Sequence, residues 1–258
     1  APQEILARGE ELSVEPDRLV YASRMAAKVD SAALQDGFRI YHHVFFFDRA
    51  GRWCVVQQGM RETTGMARRY HWISEGLSSF VEEPHAGVVG RRVDTVLNLV
   101  AREAAPAREA IPDLAGRPPE ELAGELARLK RMRLPRRHQV LASDLNPARL
   151  KTVFLAAYQQ EIRDFESLLG VRGLGAKGVR ALALLSELLY GAPASFRDPA
   201  RYSYAHGGKD GTPYPVDRET YDRTIQALRR AVRRARLGNR EELAALRRLA
   251  TALGTEEA

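Results

Sequence analysis

The stretch Phe165-Glu166-Ser167-Leu168-Leu169-Gly170-Val171-Arg172-Gly173-Leu174-Gly175-Ala176-Lys177-Gly178-Val179-Arg180-Ala181-Leu182 decides how the C-terminal half of the chain is read. A short helix ends near Leu168-Leu169, and Gly173-Leu174-Gly175 makes a tight turn. A second helix starts near Lys177, with Val179, Leu182 and Leu185 on its inward face. Two glycines around one buried leucine turn backbone N–H groups outward beside the positive end of the following helix. Such a corner holds a phosphate diester without reading bases, and Lys177 and Arg180 are expected on its exposed side.

Downstream of Val93 the apolar periodicity is helical throughout, with segments expected at about 93–104, 119–132, 146–158, 162–170, 177–190, 217–236 and 239–252. Upstream, Pro2 to Arg8 and a run opened by Pro16-Asp17-Arg18 read as two short helices. The character changes at Gly37. Two β-rich runs, Phe38 to Phe47 and Arg52 to Gly59, flank the turn Asp48-Arg49-Ala50-Gly51 and predict a hairpin. The fold class expected is α+β. A small N-terminal part, 1–90, carries the β-hairpin, and an all-helical region, 91–258, carries the two-glycine corner within 165–190. Ala1 is not an initiating Met, which leaves room for chain upstream.

The chain has 258 residues, 45% of them hydrophobic and 28% charged, a balance that folds into a globular core and excludes disordered or fibrous classes. Cys54 is the single cysteine, so an intrachain disulfide and a cysteine-rich zinc site are both excluded. A cytoplasmic setting is the expectation, with no membrane partner, because no run approaches the roughly 20 apolar residues of a span. Forty Lys and Arg against 33 Asp and Glu leave a net charge of +7, which favours polyanions. The cations cluster in Lys130 to His138, a run broken by Pro135, where Arg136 and Arg137 are candidate phosphate contacts. They cluster again in Arg229 to Arg236, behind the apolar set Ile225, Leu228 and Val232, as on the solvated face of an amphipathic helix.

The spacing hydrophobic-x-Gly-hydrophobic-Gly-x-Lys-x-hydrophobic around Gly173, Gly175 and Lys177 resembles the helix-hairpin-helix element of DNA repair and recombination proteins. Downstream, a Gly-, Pro- and Tyr-rich insert, Tyr202 to Thr212, precedes Pro215-Val216-Asp217 at a helix start. This is similar to the glycosylase branch of those proteins, and the resemblance implies DNA as partner and base-excision chemistry. Lys177 would be the Schiff-base nucleophile at the sugar carbon, and Asp217 would stabilise the developing cation. Lys177 also occurs in plain phosphate-binding hairpins, and Asp217 also fits a helix N-cap. Two features depart from the branch: the 40-position separation of Lys177 and Asp217, and Arg218-Glu219-Thr220 where Thr-His is usual. Within the insert, His206 and Lys209 are candidate DNA contacts. Most of the chain also resembles an uncharacterised family of archaea and thermophilic bacteria.

The expected function is a DNA-binding repair-type protein acting on damaged or structured DNA, either as a glycosylase or lyase that needs no cofactor or through one of two alternatives. One is a structure-directed nuclease using Mg²⁺ or Mn²⁺, with Asp48, Gln57 and Gln58 presented by the hairpin. The other is a non-catalytic DNA-binding module serving a protein partner in a repair complex. Arg68-Arg69-Tyr70-His71-Trp72 reads either as a phosphate and base-stacking patch or as a segment packing Tyr70 and Trp72 inward.

Overall fold

The computed structural model describes residues 2–94, 96–129, 147–200 and 218–234. It is an α+β protein that divides into two compact units, Ala1–Tyr202 and Ser203–Ala258. In the second unit the described element is helix α8, Arg218–Arg234, close to its expected bounds and with Arg230 and Arg233 exposed. The segment at 239–252 lies outside the described residues.

The first unit opens with α1 (Pro2–Ala7) and α2 (Pro16–Lys28), the latter started by proline at its first position, where the missing N–H costs nothing. A π-helical turn, Val29–Ala33, continues α2 into the two-residue strand β1 (Leu34–Gln35). The expected hairpin is β2 (Arg39–Phe47) and β3 (Trp53–Arg61), joined by a turn in which Gly51 takes φ 81° and donates to the Asp48 carbonyl at 3.1 Å. Strands β4 (Met66–Ile73) and β5 (Gly87–Val89) extend it into an antiparallel sheet of order β2-β3-β4-β5.

Register places Phe45 opposite Val55, Val55 opposite Trp72, His43 opposite Gln57 and Gln57 opposite Tyr70. Alternation therefore puts these six residues and Arg68 on one face, and that face is buried: Val55, Gln57, Arg68, Tyr70 and Trp72 are all 0% exposed. The reading of 68–72 as a stacking patch is thus corrected for Arg68, Tyr70 and Trp72, which pack inward. His42 and His43 point to opposite faces, and only His43 joins the interior.

The segment expected as a helix at 93–104 is mostly extended. Strand β6 (Leu97–Asn98) pairs antiparallel with β1, and one 3₁₀ turn follows at Arg102–Ala104. The Asn98 side chain takes the N–H groups of Val100 and Ala101 at 3.1 and 3.0 Å, while its backbone N–H goes to Ser195 at 2.8 Å. These partners outcompete the helical ladder that the apolar spacing suggested. Helix α3 (Ala105–Ala115), which the sequence reading passed over, carries Pro106 in its first turn and Pro112 in its interior. Helices α4 (Pro119–Leu129), α5 (Pro147–Gln159), α6 (Phe165–Gly170) and α7 (Ala176–Tyr190) follow. Helix α3 packs on α7 and α4 on α5, around Ile111, Leu114, Phe154 and Leu182, all fully buried.

Polar groups on the buried sheet face are matched rather than excluded. Arg68 reaches Asp36 Oδ2 at 2.7 Å, Asp198 Oδ2 at 2.7 Å and the Arg91 carbonyl at 2.8 Å, and it stacks over Phe38 at 4.4 Å. Tyr70 donates to the same Asp36 oxygen at 2.7 Å. Replacing Arg68 with Met leaves two buried carboxylates without their cation, and a stability loss of about 3–5 kcal/mol is expected in chemical denaturation.

On the same strand, burial pushes the His71 imidazole below its ordinary value of 6.5, with Arg69 and His85 adding to the effect. The unfolded chain then binds more protons just below that value, so His71 contributes stability that is lost as the pH falls through this window. His71→Gln is expected to flatten that part of the profile when unfolding is measured from neutral to mildly acidic pH.

Candidate functional site

The α6–α7 corner forms where the sequence placed it. Asp164 caps α6, accepting from the Ser167 N–H at 2.8 Å and the Ser167 hydroxyl at 2.6 Å. The Leu174 N–H donates back to the Val171 carbonyl at 3.2 Å, and Gly173 adopts φ 89°, a conformation that a side chain would strain. Leu174 is 1% exposed, while Arg172, Gly173, Gly175 and Lys177 around it are exposed. Gly175 is the N-cap of α7 and offers no side chain to its first-turn amides.

The corner rests on two residues that sequence reasoning missed. Lys28, at the end of α2, donates its Nζ proton to the Leu174 carbonyl, and burial pushes its amine below the ordinary lysine range. Gln35 donates to the Ala176 carbonyl at 2.8 Å and accepts from Arg180 Nε at 2.7 Å. Arg180, expected on the exposed side, is therefore half-buried and turned toward β1. No local pattern announces Lys28 or Gln35, which lie 146 and 141 positions from their partners in the corner.

Of the remaining candidates, Asp217, Arg136, Arg137, His206 and Lys209 lie outside the described residues. The nuclease constellation is not assembled. Asp48 is half-buried in the hairpin turn and bound to Arg52 at 2.6 Å, while Gln57 pairs with His43, five residues before Asp48 and roughly 17 Å along the strand. Among the described residues no group of three His, Cys, Asp or Glu is placed to hold a metal ion.

A second arrangement lies beneath the sheet. Asp30, in the π-helical turn, is 1% exposed, and its Oδ2 accepts from Gln57 Nε2 at 2.5 Å and Trp72 Nε1 at 2.9 Å. Its Oδ1 is 2.5 Å from Nε2 of His85, whose ring packs edge-on against Trp72 at 4.8 Å. Gln57 also donates to the Ala26 carbonyl at 3.1 Å, which leaves its Oε1 to accept from His43 Nδ1 at 3.1 Å. His43 Nε2 then accepts from the buried Ser23 hydroxyl at 3.0 Å. His85 also lines an open polar cavity of about 350 Å³, walled by Glu83, Arg92, Asn98, Arg197 and Asp198.

Removing the clamp on the corner tests its role. Lys28→Met is expected to cost about 1–2 kcal/mol, because the Leu174 carbonyl loses a charged donor. Faster hydrogen exchange in the 172–177 amides than in the sheet is the accompanying sign, read by mass spectrometry.

No curated protein and no solved structure is significantly similar to the chain. The family model that matches covers residues 1–216, which takes in both the corner and the cavity and stops one residue short of Asp217. On that match, the chain belongs to DUF763, a family of proteins of unknown function.

Proposed function

We propose that the protein binds DNA through the sugar–phosphate backbone at the α6–α7 corner, as a repair-type protein acting on damaged or structured DNA. One observation carries this reading: Leu174 is buried while Gly173 and Gly175 on either side are exposed at the start of α7. A bare two-glycine edge lets a phosphate approach main-chain amides more closely than any side chain would allow, and the helix dipole adds to the attraction. Lys177, exposed on the first turn of α7, supplies a cation beside that edge. The net charge of +7 favours the encounter. Contacts of this kind position a strand without selecting bases, so specificity comes from DNA shape or damage.

The glycosylase or lyase version of this reading adds Lys177 as nucleophile and Asp217 as its helper. A lysine amine attacks a sugar carbon at neutral pH when burial or a neighbouring cation suppresses its protonation, and the exposed position of Lys177 suits a salt contact better. Borohydride reduction on abasic-site DNA separates the two. A covalent adduct that disappears in Lys177→Ala supports the lyase, and binding without an adduct supports the backbone-contact role alone.

In either case DNA affinity is expected to fall steeply with salt, and Lys177→Ala to lower the salt slope by about one while weakening all sequences equally. Gly173→Ala is expected to weaken binding at least as much, since Gly173 holds a positive φ and the added Cβ would press on Val153 at 3.3 Å, which strains the corner. Fluorescence anisotropy over a salt series checks both. Affinity that is indifferent to either substitution overturns the proposal.

A further inference from the structure

The cavity beneath β5 holds a side chain prepared for a ligand. His85 is 6% exposed through its side chain, and its Nε2 is committed to Asp30. Asp30 is held by two obligate donors, Trp72 Nε1 and Gln57 Nε2, so it acts toward His85 as an acceptor. The first imidazole proton therefore sits on Nε2. Nδ1 has no hydrogen-bond partner among the described residues, and the ring carrying it forms part of the cavity wall. In the neutral ring Nδ1 presents a lone pair, and in the protonated ring it donates.

One cation of the cavity wall, Arg92, stands apart from the ion pairs around it. Asp198 shares the Arg68 guanidinium with Asp36, each at 2.7 Å, and Glu83 is shared between Arg102 at 3.5 Å and Arg197 at 3.9 Å. Arg92 is exposed, its Nε is fixed on the Ala200 carbonyl at 3.0 Å, and it has no carboxylate partner among the described residues. The backbone that delivers His85 is held in an uncommon conformation. Glu83 takes φ 41°, pinned by its N–H to the Val100 carbonyl at 2.7 Å. Strain of this kind is kept where the surroundings over-determine it, often at ligand sites. The same holds for the π-helical turn that carries Asp30.

We propose that this cavity binds a phosphate ester, with the Arg92 guanidinium taking the charge and His85 Nδ1 making a directed hydrogen bond to a phosphate oxygen. The volume of about 350 Å³ admits a group the size of a nucleotide and is too small for a duplex. Two sources share that chemistry: a free mononucleotide, and the terminal phosphate of a DNA strand. The site stands apart from the α6–α7 corner and does not rest on the reading given to it.

The test is a titration of the full chain carrying ¹⁵N-labelled histidine, followed by NMR. The probes are inorganic phosphate, thymidine 5′-monophosphate, and a short oligonucleotide with and without a 5′-phosphate. The His85 Nδ1 resonance is expected to move on addition of phosphate while Nε2, held by Asp30, moves little. Arg92 is exposed, so Arg92→Ala is expected to fold normally and to raise the Kd by about tenfold or more. His85→Gln removes the Nδ1 response and is compared at matched thermal stability. Tighter binding of the mononucleotide supports the free ligand, and a response confined to the 5′-phosphorylated strand supports the DNA terminus. A His85 signal unmoved by every probe, or a Kd unchanged in Arg92→Ala, overturns the proposal. Lys177→Ala is expected to leave the phosphate titration intact, so failure at the corner and failure at the cavity are told apart.

Discussion

A guanidinium buried to 0% exposure, that of Arg68, is the constraint around which the first unit is organised. Taking a cation out of water costs several kcal/mol and is tolerated only where opposite charge and hydrogen bonds replace the lost solvation. Arg68 obtains both from positions far apart in the chain, Asp36 and Asp198, which lie 32 and 130 residues away. Its Nε is buried without a hydrogen-bond partner among the described residues, and the Phe38 ring covers the guanidinium instead. The cost is thus incompletely offset. Such a pair is weak support for stability and strong support for a unique arrangement, because any other placement of these segments strands a buried charge.

The consequences spread from Asp198. Its Oδ2 accepts from Arg68 and from the Val93 N–H at 2.7 Å, and its Oδ1 accepts from the Ala200 N–H at 2.8 Å. Arg92 Nε in turn binds the Ala200 carbonyl. Segments 91–93 and 198–200 are stapled side by side, and together they form one wall of the polar cavity. The opposite requirement, a buried carboxylate needing donors, is met six residues before Asp36 by Asp30 with Gln57, Trp72 and His85. These two clusters share one sheet face, so they also pin its register. A one-residue slip of β4 would carry Arg68, Tyr70 and Trp72 to the other face, away from every partner they have.

Elements governed by local rules were legible in the sequence. The β2–β3 hairpin follows from two β-rich runs around a turn that needs Gly51 at positive φ, and α4, α5 and α7 follow from their apolar spacing and their start signals. Elements governed by distant partners were not. The 93–104 segment has helical spacing, yet Asn98 diverts it because Ser195 and Leu34 are waiting to pair with it. Helix α3 hides behind Pro106 and Pro112. The basic-aromatic run at 68–72 resembles a surface patch until Asp30 and Asp36 are known to lie beneath it. Of the corner, Gly173, Leu174, Gly175 and Lys177 could be picked out from spacing alone, whereas Lys28, Gln35 and the inward turn of Arg180 could not. His85 had no signal at all, since its partner lies 55 positions away.

The supports behind the corner also determine what its outer surface offers. Leu174 directs its side chain into the core and its carbonyl to Lys28, and the Ala176 carbonyl is taken by Gln35. Two of the turn's acceptors are therefore turned inward and satisfied. Gly175 leaves the first-turn amides of α7 without a side-chain cap, and α7 aligns fifteen residues of peptide dipole behind them. Lys28 donates to the Leu174 carbonyl from an amine that burial partly desolvates. The corner is thus held from behind by two side chains of the N-terminal elements, Lys28 and Gln35. Supports of this kind reduce the conformational freedom that a turn would otherwise lose when its backbone is engaged.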